Sequence, residues 1–207
     1  MWIEVFNDNP YGTNCWLLSA EGKDEAVVVD PGFEPSTVRG LLEVAGKQPA
    51  AVVLTHAHFD HAGEAGVFAG DDVPVQIHPA DALAYSDPVA WGRADAPKLA
   101  DVKDLRMMHD GDVLEIAGLA LQVLHTPGHT PGHCVFRMDA DGVVLSGDLV
   151  FAGAVGRSDL PESDPVAMTR SLGRFLELPD DLGVYPGHGP TTTVGRERTS
   201  NPFLVDP

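Results

Sequence analysis

His56-Ala57-His58-Phe59-Asp60-His61 decides how this chain is read. Three imidazoles and one carboxylate fall within six positions. They come directly after the apolar run from Ala51 to Leu54 and before Ala62-Gly63-Glu64-Ala65. That order predicts a strand, a tight loop and the start of a helix. Burying so many polar groups at one strand end is costly without a shared partner. A divalent metal ion is the simplest partner for such a set.

Upstream of the cluster, Ala26 to Val29 is wholly apolar and reads as a central strand ending in Asp30-Pro31-Gly32. A helix is expected from Pro35 to Ala45, with Val38, Leu41, Leu42 and Ala45 on one face. Strand, helix and strand in that order imply a crossover and local parallel pairing. A ligand site is expected at the carboxyl ends of such strands. Further back, Ile3 to Phe6 and Asn14 to Ser19 are strands around the turn cluster Asn7 to Gly12.

Downstream, a short helix is expected from Ala62 to Phe68, a strand from Val73 to His78 and a helical turn or two from Pro79 to Tyr85. Residues 86–101 are polar and rich in breakers, a candidate lid, with Trp91 either a core anchor or a substrate wall. The second half repeats the strand-rich pattern at Val113 to Ile116, Leu119 to Leu124, His133 to Met138, Val143 to Leu145 and Gly183 to Tyr185. Helices are expected at Val166 to Leu178 and Thr191 to Arg198, with Thr192 and Thr193 capping the second. The tail from Asn201 reads as extended. The whole is α/β, two sheets packed together with helices outside, in one domain spanning residues 1–207.

Composition narrows the function classes. An apolar share of 43% and a charged share of 21% are ordinary for a soluble globular chain. Every apolar run is interrupted before it reaches membrane-spanning length, and no signal peptide is read at the start. The expected location is therefore cytoplasmic. Net charge is -18, from 13 basic and 31 acidic residues, which argues against a nucleic-acid partner. Cys15 and Cys134 match no zinc-binding spacing and read as buried free thiols.

Three other places carry metal-capable residues just past strands. They are His125-Thr126-Pro127-Gly128-His129-Thr130-Pro131-Gly132-His133, Leu145-Ser146-Gly147-Asp148 and Tyr185-Pro186-Gly187-His188-Gly189. With the opening cluster they offer seven candidate ligands: His56, His58, Asp60, His61, His129, Asp148 and His188. Seven donors make two sites of three or four. Two cations in proximity call for a bridging carboxylate and a bridging hydroxide between them. Metal coordination lowers the pKa of water toward about 7, giving a nucleophile at neutral pH.

The spacing His-x-His-x-Asp-His, with His129, Asp148 and His188 in later strand-end loops, resembles the metallo-β-lactamase superfamily across essentially the whole chain. The phrases around His129, Ser146-Gly147-Asp148, Gly156-Arg157-Ser158-Asp159-Leu160 and Pro186-Gly187-His188-Gly189 are similar to the glyoxalase II family. The stretch from Gly195-Arg196-Glu197 to Asn201-Pro202-Phe203-Leu204 resembles its compact bacterial branch. The resemblance implies an αβ/βα four-layer sandwich. It implies one metal on His56, His58 and His129, a second on Asp60, His61 and His188, and Asp148 bridging. Asp60 would also orient the hydroxide. The implied reaction is hydrolysis of a thioester such as S-D-lactoylglutathione by the bridging hydroxide.

Two features qualify that implication. The C-terminal helical extension with which longer members bind glutathione is expected to be lacking. Another low-molecular-weight thiol, such as mycothiol or bacillithiol, then stays open. All seven donors are nitrogen or oxygen, with no cysteine in the bridging place. That lowers the antibiotic-hydrolase reading and puts two divalent ions, zinc first, with iron and manganese chemically open, as the expected cofactors. The rivals are an iron-dependent persulfide dioxygenase using His56, His129 and Asp148, a lactonase or β-lactamase of the same fold, and a non-enzymatic metal-stabilised protein. A small-molecule thioester substrate is expected, with neither nucleic acid nor membrane as partner, in a monomer or small homo-oligomer.

The remaining polar residues carry quieter expectations. Asp30 is expected to hold a ligand imidazole by hydrogen bond. His125 and His133 are expected to order their loop rather than bind metal. Arg157 is expected to anchor its loop by an ion pair, ahead of reaching an anionic substrate. Tyr11 and Phe151 line the mouth or simply pack, and His78 and His109 are assigned nothing.

Overall fold

Each sheet of this chain is greasy on both sides, and that dictates four layers. The computed structural model describes residues 1–70, 72–87 and 99–205. The first sheet runs in the order β1 (Trp2–Phe6), β2 (Cys15–Ser19), β3 (Glu25–Val29), β4 (Gln48–Val53), β5 (Val75–Ile77), β6 (Leu105–Met107). Strands β1 to β3 are antiparallel, and β3 to β6 are parallel. The parallel half is fed by α1 (Pro35–Val44), the short α2 (Phe59–Ala62) and α3 (Ala65–Ala69), and α4 (Pro79–Ser86).

The second sheet holds β7 (Val113–Ile116), β8 (Leu119–His125), β9 (Cys134–Met138), β10 (Val143–Gly147), β13 (Gly183–Pro186) and β14 (Thr192–Thr193). It is ordered β14-β13-β10-β9-β8-β7. A two-stranded ribbon, β11 (Val150–Phe151) and β12 (Ala154–Val155), interrupts the long loop after β10. Helices α5 (Pro165–Phe175), α6 (Val194–Ser200) and α7 (Pro202–Val205) cover this sheet.

Strand alternation sorts the side chains among three cores. Leu17, Val28, Val52 and Ile77 face the first helical layer, against Val38, Leu42 and Phe68. Leu18, Val27, Val29 and Val53 point the other way and meet Leu121, Val123, Phe136 and Leu145 between the sheets. Val135, Val144 and Val184 face outward onto Met168, Phe175, Val194 and Leu204. Both Cys15 and Cys134 are buried free thiols, as expected. Burial pushes each well above its ordinary pKa, so neither is a ready nucleophile.

Four expectations need correction. The helix expected from Ala62 to Phe68 is two short helices. The Glu64 amide donates to Gly32 O at 2.8 Å, leaving the helical ladder between them. The tail is not extended throughout: Asn201 Oδ1 accepts the Phe203 amide at 3.1 Å, and α7 follows from Pro202. Leu105–Met107 is a strand that was not expected. The last strand pair and helix are divided differently, as β14 then α6, with Thr193 Oγ1 accepting the Arg196 amide as the cap. Trp91 and most of the candidate lid lie outside the described residues. Among the described residues no helix is long and apolar enough to cross a membrane.

Candidate metal centre

Both sheets deliver polar residues to the same rim. His56, His58, Asp60 and His61 follow β4, His129 lies between β8 and β9, Asp148 follows β10, and His188 follows β13. His56 and His61 are wholly buried, and His58, His129 and Asp148 nearly so. Donor atoms of His56, His58 and His129 lie within 4.8 Å of one another, and so do those of Asp60, His61 and His188. Asp148 stands between the trios: Oδ1 is 3.4 Å from His61 Nε2, and Oδ2 is 3.4 Å from His129 Nε2 and 3.7 Å from His188 Nε2. All seven candidate ligands are thus brought together.

Hydrogen bonds fix which face each ring presents. Thr55 Oγ1 donates to Asp30 Oδ2 at 2.6 Å and so receives the His56 Nδ1 proton at 2.9 Å. His61 Nδ1 donates to Asp30 Oδ2 at 2.9 Å, as expected of Asp30. His129 Nδ1 donates to Arg157 O at 2.8 Å, and His58 Nε2 donates to the Glu162 carboxylate at 2.8 Å. The opposite nitrogens of His56, His58 and His129 therefore carry lone pairs. His56 Nε2 and His58 Nδ1 face each other at 3.0 Å. Two lone pairs at that distance repel unless a cation lies between or beside them. Buried His129 Nε2 and Asp148 Oδ1 make no hydrogen bond at all. Orphaned buried acceptors of this kind call for an ion, and the donors present fit a divalent one. A third grouping, Asp30 with His56 and His61, is hydrogen-bonded within itself and through Thr55, and so needs no ion.

The electrostatics agree. Burial, then the charges of His61, His58 and His129, push His56 well below its ordinary pKa, so it is a neutral donor. Burial lowers His129 to about 4, against the pull of Asp148. Burial alone would raise Asp148 and Asp60, but the neighbouring imidazoles, His61 first, outweigh it and hold both carboxyls well below the usual range. Burial alone would lower His61, yet Asp148, Asp60 and Asp30 together raise it well above its ordinary value. In the absence of an ion a proton is the surrogate cation at that end.

The rim has little slack. A Cβ on Gly187 would collide with Asp148 Oδ1, and one on Gly156 with the Asp148 carbonyl. Asn14 Nδ2 donates to Pro186 O at 3.0 Å and Gly189 O at 2.8 Å, tying the His188 turn to β2. His133 orders its surroundings as expected: Nε2 accepts the Asp148 amide at 3.0 Å and Nδ1 donates to Thr126 Oγ1 at 2.9 Å. His125 Nε2 donates to Pro131 O at 2.9 Å, and the ring stacks on His78. Arg157 pairs with exposed Asp159 at 2.9 Å. Phe151 lines the mouth, while Tyr11 packs on Phe33 and Phe59.

Two residues were not anticipated. Glu162 holds His58 from the loop before α5. Asp81, in the first turn of α4, is wholly buried. It accepts the Ala57 amide at 3.0 Å, Thr130 Oγ1 at 2.7 Å and the Gly132 amide at 2.5 Å. It thereby pins the loop between His56 and His58 to the loop around His129. An acid in a first helical turn usually answers the helix dipole, and these contacts span 24 to 51 positions.

The comparisons agree with this architecture. The model of the metallo-beta-lactamase superfamily matches residues 8–188. The hydroxyacylglutathione hydrolase GloC of Haemophilus influenzae is 33% identical, over 99% of this chain and 98% of its own. The crystal structure of BLEG-1 B3 metallo-beta-lactamase is similar with a TM-score of 0.90 and 32% identity, covering 98% of this chain and 99% of that one. TTHA1623, in a di-iron-bound form, gives a TM-score of 0.83 and 42% identity over 99% of this chain and 100% of that one.

Proposed function

The chain belongs to the metallo-beta-lactamase superfamily, and from that premise we propose that it is a hydrolase that holds two divalent ions and cleaves a thioester of a low-molecular-weight thiol, such as S-D-lactoylglutathione. The observation that carries the reading is the pair of donor trios with Asp148 between them. His56, His58 and His129 would hold one ion, Asp60, His61 and His188 the other, and Asp148 would touch both. The all-nitrogen-and-oxygen donor set suits zinc, iron or manganese. The similarity to GloC supports the thioester class.

Bound ions would supply a water acidified toward about pH 7 and an electrophilic pull on the substrate carbonyl. The chain supplies the rest. Asp60, kept ionised, receives Thr13 Oγ1–H at 3.2 Å and lies 3.2 Å from His188 Nε2. It is placed to orient a water at the rim. Phe59, Phe151 and Leu160 wall an open cavity of about 290 Å³ over these groups. No general acid is needed for the leaving group, because a thiol with a pKa near about 8.5 departs readily as thiolate.

The test is metal analysis of the natively expressed protein with a thioester assay on the same sample. Two ions per chain and rapid thioester hydrolysis are expected. A single iron with oxygen uptake on glutathione persulfide would replace this reading with a persulfide dioxygenase. The similarity to BLEG-1 favours a second reading, β-lactam hydrolysis. A β-lactam turned over faster than any thioester would establish that one.

A further inference from the structure

Beside the metal pocket lies a larger groove of about 470 Å³, within the usual range for small-molecule sites. Its walls are α5, through Met168 and Leu172, Leu176 just beyond it, and α7, through Phe203. Val155 and Gly156 line both this groove and the metal pocket, so the two cavities adjoin across the end of the β11–β12 ribbon. Ser158 and Thr169 are the polar side chains on its wall, and none of the lining residues is charged. The nearby Arg157 guanidinium points to solvent and is paired with Asp159.

We propose that this groove is a subsite for the aliphatic acyl chain of the substrate, so that the chain acts on acyl groups of several carbons, longer than lactoyl. The proposal rests on the thioester reading of the adjoining centre. A thioester has two arms. The small thiols that carry acyl groups in cells bear carboxylates, amines, phosphates or hydroxyls, which an uncharged apolar groove leaves unpaired at a cost. The acyl arm is the apolar one. Phe203 is exposed, as are Val166 and Val205 nearby, so apolar surface stands open to be covered. The adjoining pocket singles out a substrate arm, rather than another protein, as what covers it. Gly156 is the threshold between the cavities. Its Cβ position is filled by the Asp148 carbonyl, so no side chain can stand there.

The experiment uses the metal-loaded full chain and S-acyl-N-acetylcysteamines from acetyl to decanoyl. kcat/KM is expected to rise about two- to fourfold per added methylene through the middle of the series. Thr169→Trp, from an exposed position on the wall, should flatten the rise, chiefly through KM, and leave the acetyl compound unaffected. Phe203→Asp should do the same. A flat series from a protein that hydrolyses the acetyl compound overturns the subsite and spares the thioester reading, as does a slope unchanged in both variants. Hydrolysis at no chain length removes the thioester reading. Octanoate binding by calorimetry, which requires no turnover, then decides the groove. Binding at least tenfold tighter than acetate, and lost in Thr169→Trp, supports it. No preference for octanoate, or a dimer that Phe203→Asp dissociates, overturns it.

Discussion

Asp81 joins two ligand loops, through the Ala57 amide on one and through Thr130 Oγ1 and the Gly132 amide on the other. Burial pushes its carboxyl up to about 6, against the pull of Thr130, Ala57 and Gly132. Asp81→Asn turns one acceptor oxygen into an NH2 that faces a donor. The expected cost is about 1–3 kcal/mol of stability, read from urea denaturation, and about a 10-fold or greater loss of zinc affinity, read by competition with a chromophoric chelator. Unchanged zinc affinity would confine Asp81 to packing. His78 makes a pH prediction. Burial, then the charges of His125 and His109, lower its pKa to about 4. Its Nδ1 also accepts the Ala80 amide at 3.2 Å, which a protonated ring cannot do. A base with a depressed folded pKa stabilises while neutral. The contribution is present above about 6.5 and is lost as pH falls toward 4. His78→Asn keeps a capping acceptor and should flatten that part of the stability–pH curve. An unchanged slope in thermal melts at pH 4 to 7 would show that His78 does not titrate there. The seven donors were legible because each stands beside a turn at the end of an apolar run. Asp81 and Glu162 were not, because only tertiary contact gives them a role.

At the scale of elements, periodicity located most strands and α1 and α5. It failed where pairing or a single amide decides the outcome. Leu105–Met107 is three residues around a charged arginine, and only the ladder with β5 makes it a strand. The Asn201-Pro202 pair carried a legible start signal, an Asn cap with Pro in the first turn, that an extended reading of the tail passed over. Helix α5 begins with the same economy. Asp164 Oδ1 accepts the amides of Val166 at 2.8 Å and Ala167 at 3.1 Å. Asp164→Ala should cost about 1 kcal/mol. Because Met168 and Phe175 keep the helix packed on the second sheet, the variant should fold, melt a few degrees lower and retain its metal. Loss of metal would show that the cap also positions Glu162 and hence His58.

Across the whole molecule, the first sheet brings His56, His58, Asp60 and His61, and the second brings His129, Asp148 and His188. Ions bound there would be cross-links between the two halves of the sandwich. Without them, the lone pairs of His56 and His58 face each other uncompensated at one end of the rim, in a chain whose net charge is already -18. Binding to the folded state alone stabilises by about 2.7 kcal/mol at a free ion concentration one hundred times Kd. For a chain of this size each kcal/mol moves Tm by about 2–4 °C. The stabilisation by binding counts once for each ion, so chelation of both should lower Tm by roughly 11–22 °C, and restoring zinc should recover it. Asp148→Ala separates an ion effect from a chelator effect. It removes the carboxylate that stands between both trios, so both ions should be lost together, along with hydrolysis, and the variant's Tm should no longer respond to chelator. A variant that keeps two ions and normal turnover would show that Asp148 does not join the two sites. One that loses a single ion would assign it to one trio alone.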